Sequence, residues 1–201
     1  MLIEGTTGTG KSTFLSTIVT SFLYNFNPEE LKLILVDTRA TNFLRFNKIP
    51  HLYIPVIMDS RKAEGLLIYL INEMKERYKI FKGKKVDNID EYNKVSENKI
   101  PRIVLMIEDL YDLMLHTNKG IEQHIKTLTQ MSRTAGIYIV ISTQRPSVNV
   151  ITGVIKSNIP ARISSYIDSR TIINESGAEK LQSNEDIIFR KIGSQKIREY
   201  R

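Results

Sequence analysis

Residues 5–12 read Gly-Thr-Thr-Gly-Thr-Gly-Lys-Ser, and they satisfy the G-x-x-x-x-G-K-[ST] spacing of a phosphate-cradling loop at every constrained position. Glycines in such a loop let the backbone curl until successive N–H groups point at phosphate oxygens. The expected nucleotide contacts are therefore Gly5, Thr6, Thr7, Gly8, Thr9, Gly10, Lys11, Ser12 and Thr13. Lys11 would reach the β- and γ-phosphates, and the Ser12 hydroxyl would take one place on Mg²⁺, which makes ATP and Mg²⁺ the expected cofactors. A Gly/Thr turn could match this spacing by accident. Here the apolar run 1–4 precedes the loop and a helical pattern over 12–24 follows it, which is the strand-before, helix-after context that puts a triphosphate at a helix N-terminus. A dinucleotide-binding fingerprint does not fit, because Thr13 stands where its third glycine belongs.

A second group of reactive residues lies about a hundred positions on. Residues 102–107 (RIVLMI) read as a buried strand ending in Glu108-Asp109. A carboxylate at a strand end beside a phosphate loop holds Mg²⁺, and its neighbour polarises the attacking water, so Glu108 is the expected metal ligand and Asp109 the expected base. Residues 137–142 (IYIVIS) give another buried strand, followed by Thr143-Gln144-Arg145. Gln144 at that end is the candidate γ-phosphate sensor, since parallel strands aim their carboxyl ends at one crevice.

The elements that must position these groups show in the hydrophobic pattern. Phe14, Leu15, Ile18, Val19, Phe22 and Leu23 recur at helical spacing, and Asn27-Pro28 closes that helix. Residues 32–36 (KLILV) read as a parallel strand buried on both faces. A strand is expected in the middle of 49–59, confined by Pro50 and Pro55. Ser60 is the expected cap of a long helix carrying Ala63, Leu66, Leu67, Leu70, Ile71, Met74 and Tyr78. Residues 82–100 read as a polar surface excursion, and a helix is expected over about 119–134. Strands alternating with helices give an α/β fold with a mostly parallel, doubly wound sheet and helices on both faces.

Bulk properties set limits. A length of 201 residues suits one domain. Lys and Arg number 29 against 22 acidic residues, a net charge of +7 that suits a polyanionic partner. There is no cysteine, which excludes disulfides and thiolate metal sites. The sequence holds no run of about 18 apolar residues and no signal-peptide core, so the expected setting is the cytoplasm, with any membrane anchor outside these residues. His51 lacks a second metal-type neighbour at ligand spacing and reads as structural.

Residues 143–160, together with 167–171 and 177–179, resemble the motor domain of the FtsK/SpoIIIE DNA translocases. The phosphate loop, the 49–59 segment and the Glu73-Met74…Arg77-Tyr78 helix extend the likeness over nearly the whole chain. The resemblance implies a single RecA-like ATPase domain over 1–201, shortened ahead of the strand that leads into its phosphate loop. It further implies a homo-oligomeric ring, a hexamer, that threads double-stranded DNA and moves it by ATP hydrolysis in chromosome segregation or DNA transfer. By the same resemblance Arg162 is the first candidate for an arginine finger reaching a neighbouring subunit and Arg133 the second, while Arg145 and Lys156 would face DNA.

The sequence departs from the family pattern at several points. The acidic pair, usually Asp-Glu, is Glu108-Asp109, and the usual Pro-Lys after Asp37 is Thr38-Arg39. Between residues 163 and 167 the chain is shorter, which trims a strand. The platform ahead of the motor, the membrane segments and the DNA-reading winged-helix domain would lie outside these residues. The swapped acids keep open a catalytically weakened nucleotide-binding subunit as an alternative. A secretion-type relative moving polypeptides is another, although the 143–160 stretch argues against it. A cassette transporter is disfavoured because no Ser-Gly-Gly-Gln-like signature occurs.

Overall fold

A computed structural model describes the chain except residues 116–119, 146, 148–149, 166–169, 174–176, 182–185, 192–196 and 201, and the side chains of 170, 171, 179 and 197. Parts of the stretches 143–160, 167–171 and 177–179 therefore lie outside the described residues.

Four apolar runs form the centre of one sheet: β1 (Leu2–Glu4), β2 (Leu31–Val36), β3 (Arg102–Ile107) and β4 (Ile137–Thr143). With β5 (Arg162–Ser165), β6 (Ile187–Arg190) and β7 (Ile197–Tyr200) they stand in the order β2-β3-β4-β1-β5-β6-β7. All pairings from β2 to β5 are parallel; the pairings of β5 with β6 and of β6 with β7 are antiparallel. Parallel neighbours require long crossovers, and helices supply them. Helix α1 (Lys11–Asn25) follows β1, and α2 (Ser60–Lys84) with α3 (Ile89–Val95) joins β2 to β3. Helices α4 (Leu110–Leu115) and α5 (Gly120–Met131) lead to β4, α6 (Gly153–Asn158) leads to β5, and α7 (Arg170–Ile173) follows it.

Strand alternation sorts side chains onto two faces. Ile3, Leu33, Leu35, Val104, Met106, Val140 and Ile163 face α1, whose Leu15 and Val19 are fully buried against them. Full burial of side chains this size is worth about 1.5–3 kcal/mol each. Leu2, Ile34, Ile103, Leu105, Ile139 and Ile141 face the opposite layer, built from α2, α4, α5, α6 and α7. The chain is thus a mostly parallel α/β sheet with helices on both faces. Among the described residues no helix is long and apolar enough to cross a membrane.

The structure differs from the sequence reading at four local points. Residues 49–59 form no continuous strand; they make two isolated parallel bridges to β2, Leu33 with Leu52 and Val36 with Ile57. Pro50 and Pro55 lack the N–H groups a ladder needs. The cap of α2 is Asp59, whose Oδ1 accepts from Lys62 N at 2.9 Å, so Ser60 is already helical. The polar stretch 82–100 contains α3, anchored by a small cluster of Phe81, Ile89 and Tyr92. Helix α5 stops at Met131, ahead of a turn closed by Ile137 N donating to Ser132 O at 2.9 Å.

Arg162 also needs correction. It opens β5 opposite Leu2, at the amino edge of the sheet, and only 8% of it is exposed. Its guanidinium donates to the carbonyls of Ile159 (3.3 Å), Ile172 (2.7 Å) and Lys156 (2.6 Å), tying α6 and α7 to the strand. Burial, with the nearby Arg190 charge as a lesser cause, pushes its pKa below the ordinary arginine value. A side chain so engaged cannot serve as a finger for a neighbour. Arg162→Ala strands those carbonyls, and the expected outcome in urea unfolding is a loss of about 2–4 kcal/mol of stability; an unchanged midpoint contradicts this structural role.

Candidate nucleotide site

The loop between β1 and α1 has the conformation its glycines permit. Gly8 and Gly10 hold φ of 87° and 72°, in the left-handed region that side chains with a Cβ rarely enter. Thr9 Oγ1 donates to Thr6 O at 2.9 Å, and Gly5 N to Thr143 O at 3.3 Å, tying the loop to itself and to β4. Gly10 caps α1 without any side-chain hydrogen bond, so the first N–H groups of the helix stay available to an anion. Thr6, Thr7, Gly8, Gly10 and Thr13 are exposed, whereas Thr9 and Lys11 are buried.

Register then brings the distant acid to the loop. Val36 pairs with Ile107 and Ile107 with Ile141, so the carboxyl ends of β2, β3 and β4 lie level. Because alternate residues share a face, Glu108 follows Val104 and Met106 onto the α1 side. Lys11 Nζ there lies 3.3 Å from Glu108 Oε1 and donates to the Glu108 carbonyl at 3.1 Å and to Ser142 Oγ at 3.2 Å. Ser12 Oγ donates to the same Oε1 at 2.9 Å. Both charged side chains are nearly inaccessible, 4% and 2% exposed. Removing one partner of such a buried pair typically costs about 3–5 kcal/mol, because the other charge is left uncompensated.

Residues that the sequence reading passed over complete this cluster. Asn42 Nδ2 donates to Glu108 Oε2 at 3.0 Å and to Ser12 O at 3.1 Å. Its own backbone N–H, like that of Phe43, donates to Asp37 Oδ2 at 2.8 Å. Ser142 Oγ donates to the Glu108 carbonyl. The Asn-containing loop after Asp37 was the available signal for Asn42; nothing in its spacing marks it out.

On the other side of β3, Asp109 Oδ1 accepts from Tyr111 N at 3.1 Å and Thr143 Oγ1 at 3.4 Å. Gln144 Oε1 accepts from Thr7 Oγ1 at 3.5 Å, joining β4 to the phosphate loop. Arg39, also unforeseen, reaches Gln144 Oε1 from Nη1 at 3.3 Å and Asp109 Oδ2 from Nη2 at 3.6 Å. A cavity of about 400 Å³ opens beside the loop, lined by Gly10, Lys11, Phe14, Ile163, Ile187 and Tyr200 among others. Its apolar walls next to a phosphate loop suit a nucleoside.

The remaining expected residues scatter. Arg145 lies over the Tyr111 ring, 5.0 Å from its centroid, and donates to the Tyr111 hydroxyl at 3.2 Å. Lys156 sits on α6, half-buried, and its carbonyl holds Arg162. Arg133 is exposed in the turn before β4, at the amino edge opposite the phosphate loop. Among the described residues its side chain has no hydrogen-bond or ion-pair partner.

Comparison with known proteins agrees with this geometry. The profile of the FtsK/SpoIIIE family matches residues 1–148. The chain is 47% identical to DNA translocase FtsK of Clostridium tetani over 98% of its own length and 28% of that protein's. It is 41% identical to DNA translocase SpoIIIE of Bacillus subtilis over 98% of its length and 27% of that protein's. It thus spans under a third of the curated relatives it matches. Among solved structures, the pCW3 conjugation coupling protein TcpA, in its monomer form with ATPγS, superposes with a TM-score of 0.85 at 28% identity, covering the whole chain and 58% of TcpA. With a family profile over most of its length and relatives above 40% identity end to end, this chain belongs to the FtsK/SpoIIIE family.

Proposed function

We propose that residues 1–201 are a single RecA-like motor domain of an ATP-driven translocase that moves double-stranded DNA. The observation carrying this reading is the meeting of Lys11 and Ser12 with Glu108 across the crevice at the carboxyl ends of β1 and β3. The names of the DNA translocases it resembles supply the substrate class, and a net charge of +7 is in keeping with a polyanion.

In this reading ATP lies with its phosphates in the loop and its base in the cavity between Phe14, Ile187 and Tyr200. Lys11 exchanges its Glu108 contact for the β- and γ-phosphates. Mg²⁺ fits the donor set: the Ser12 hydroxyl and the Glu108 carboxylate are hard oxygens 2.9 Å apart. Among the described residues no cluster of three or more His, Cys, Asp or Glu competes for a metal, as suits an ion that keeps water and phosphate oxygens as its other ligands. When bound, Mg²⁺ would offset phosphate charge. Asn42 keeps the Glu108 side chain oriented, Asp109 takes the proton side of the attacking water, and Gln144 senses the γ-phosphate.

The domain would work in a hexameric ring around DNA, with Arg145 and Lys156 toward the duplex. Arg133 replaces Arg162 as the finger, because it is exposed and lies in the turn before β4, at the sheet edge opposite its own phosphate loop. Such a finger is worth about 10³–10⁵ in rate. The setting is the cytoplasm, with membrane attachment through segments outside these residues.

Duplex DNA should raise the ATPase rate of the purified protein, and Lys11→Ala should abolish turnover with and without DNA. ATP binding without turnover would instead indicate a nucleotide-binding subunit that no longer hydrolyses, and stimulation by a polypeptide but not DNA a secretion-type role. Arg133→Ala should lower DNA-stimulated turnover at least about 100-fold. Mixing it with Lys11→Ala should restore part of the rate, since each variant supplies what its neighbour lacks; no recovery in mixed assemblies contradicts a finger acting between subunits.

A further inference from the structure

Arg39 is placed where no role in phosphate or metal contact explains it. Its loop is fixed at both ends. Asp37 Oδ2 accepts from Asn42 N and Phe43 N at 2.8 Å each, and Ala40 N donates to Asp37 O at 3.0 Å with Ala40 itself held at φ 55°. Thr38 Oγ1 donates to Asp112 Oδ2, pinning the loop to the first turn of α4. A residue between two such anchors has little freedom to wander, although its own side chain is 39% exposed.

From this position the guanidinium touches three groups at once. Nε lies 3.4 Å from Asp112 Oδ1, Nη2 3.6 Å from Asp109 Oδ2, and Nη1 3.3 Å from Gln144 Oε1. Asp109 is 3% exposed, and its Oδ2 is buried with no hydrogen bond among the described residues. Among the described residues Arg39 is the one group of opposite charge paired with that oxygen. A planar fork can hold a carboxylate and an amide at a set separation, which a single point charge cannot.

We propose that Arg39 is a positioning residue for ATP hydrolysis, which fixes Asp109 and Gln144 relative to one another. The assignment rests on the reading of Asp109 and Gln144 as the groups flanking the attacking water. Among the described residues, loss of Arg39 leaves the Asp109 carboxylate without a counter-charge and Gln144 with its 3.5 Å link to Thr7 alone. Misplacement of a water-orienting group by about an ångström can cost about 10²-fold in rate. The ground-state hold on nucleotide, made by the phosphate loop, is untouched.

Steady-state ATPase assays on the full chain with duplex DNA test this. Arg39→Ala is expected to lower kcat by about 10- to 100-fold with KM for ATP changed by less than about twofold. Arg39→Lys restores the charge and should recover part of kcat; Asp112→Asn, which only loosens the anchor, should cost a few-fold. In an Asp109→Asn background Arg39→Ala should have little further effect, since the two act as one unit. Arg39→Gln carries the same comparison should the alanine variant unfold on a circular-dichroism melt. Unchanged kcat, a change confined to KM, or full additivity with Asp109→Asn overturns the assignment while leaving wild-type turnover, and hence the ATPase reading, intact. A wild-type chain with no turnover overturns both.

Discussion

One buried ion pair organises this molecule: Lys11 of the phosphate loop against Glu108 at the end of β3, 3.3 Å apart and closed to solvent. Two charges taken out of water are stable only when each is met by the other and by further hydrogen bonds. Here Ser12, Asn42 and Ser142 supply those bonds. Everything larger serves to bring the two ends together. Seven strands place β1 between β4 and β5, and the level register of β2, β3 and β4 delivers Asp37, Glu108 and Ser142 to one crevice. This is the switch point of a doubly wound sheet, where chain order reverses and ligands bind.

The alternation of the strands also divides the chemistry. Glu108 faces α1 and the loop, while Asp109, one residue on, turns to the Arg39, Tyr111 and Thr143 side. Exchanging the order of the two acids relative to the family pattern changes reach by one carbon at each position, not direction. The longer Glu108 is met by Ser12 on one oxygen and Asn42 on the other. The shorter Asp109 is met by a long, forked arginine. The two departures from the family pattern, at the acid pair and after Asp37, therefore fall on residues in contact.

Much of this was legible in the sequence because burial on both faces leaves an unmistakable apolar run. Strands β2, β3 and β4 announce themselves that way, and α1 and α2 do so by their three-and-four spacing. The candidate site was legible where a motif fixes a residue by its spacing: Lys11, Ser12, Glu108, Asp109 and Gln144 converge as the pattern required. What escaped has physical reasons. Helix α3 is seven residues in a lysine-rich stretch and is held by three side chains, too little periodicity to stand out. Strands β6 and β7 are four residues each; β6 is only partly buried and the described side chains of β7 are exposed, so neither carries a continuous apolar signal. Asn42 and Arg39 act through geometry set by a loop, which spacing cannot show. Arg162 misled because a buried arginine and an exposed one read alike in sequence; only the carbonyls of Ile159, Ile172 and Lys156 tell them apart.

The central claim is that a triphosphate binds where Lys11 now meets Glu108. Isothermal titration of the protein with ATPγS in the presence and absence of Mg²⁺ tests it most directly. The expected result is Mg²⁺-dependent uptake of one nucleotide per chain by the wild type, and at least about 100-fold weaker binding by Lys11→Ala, a difference of about 2.7 kcal/mol. No heat from the wild type, or equal affinity in the variant, would contradict it.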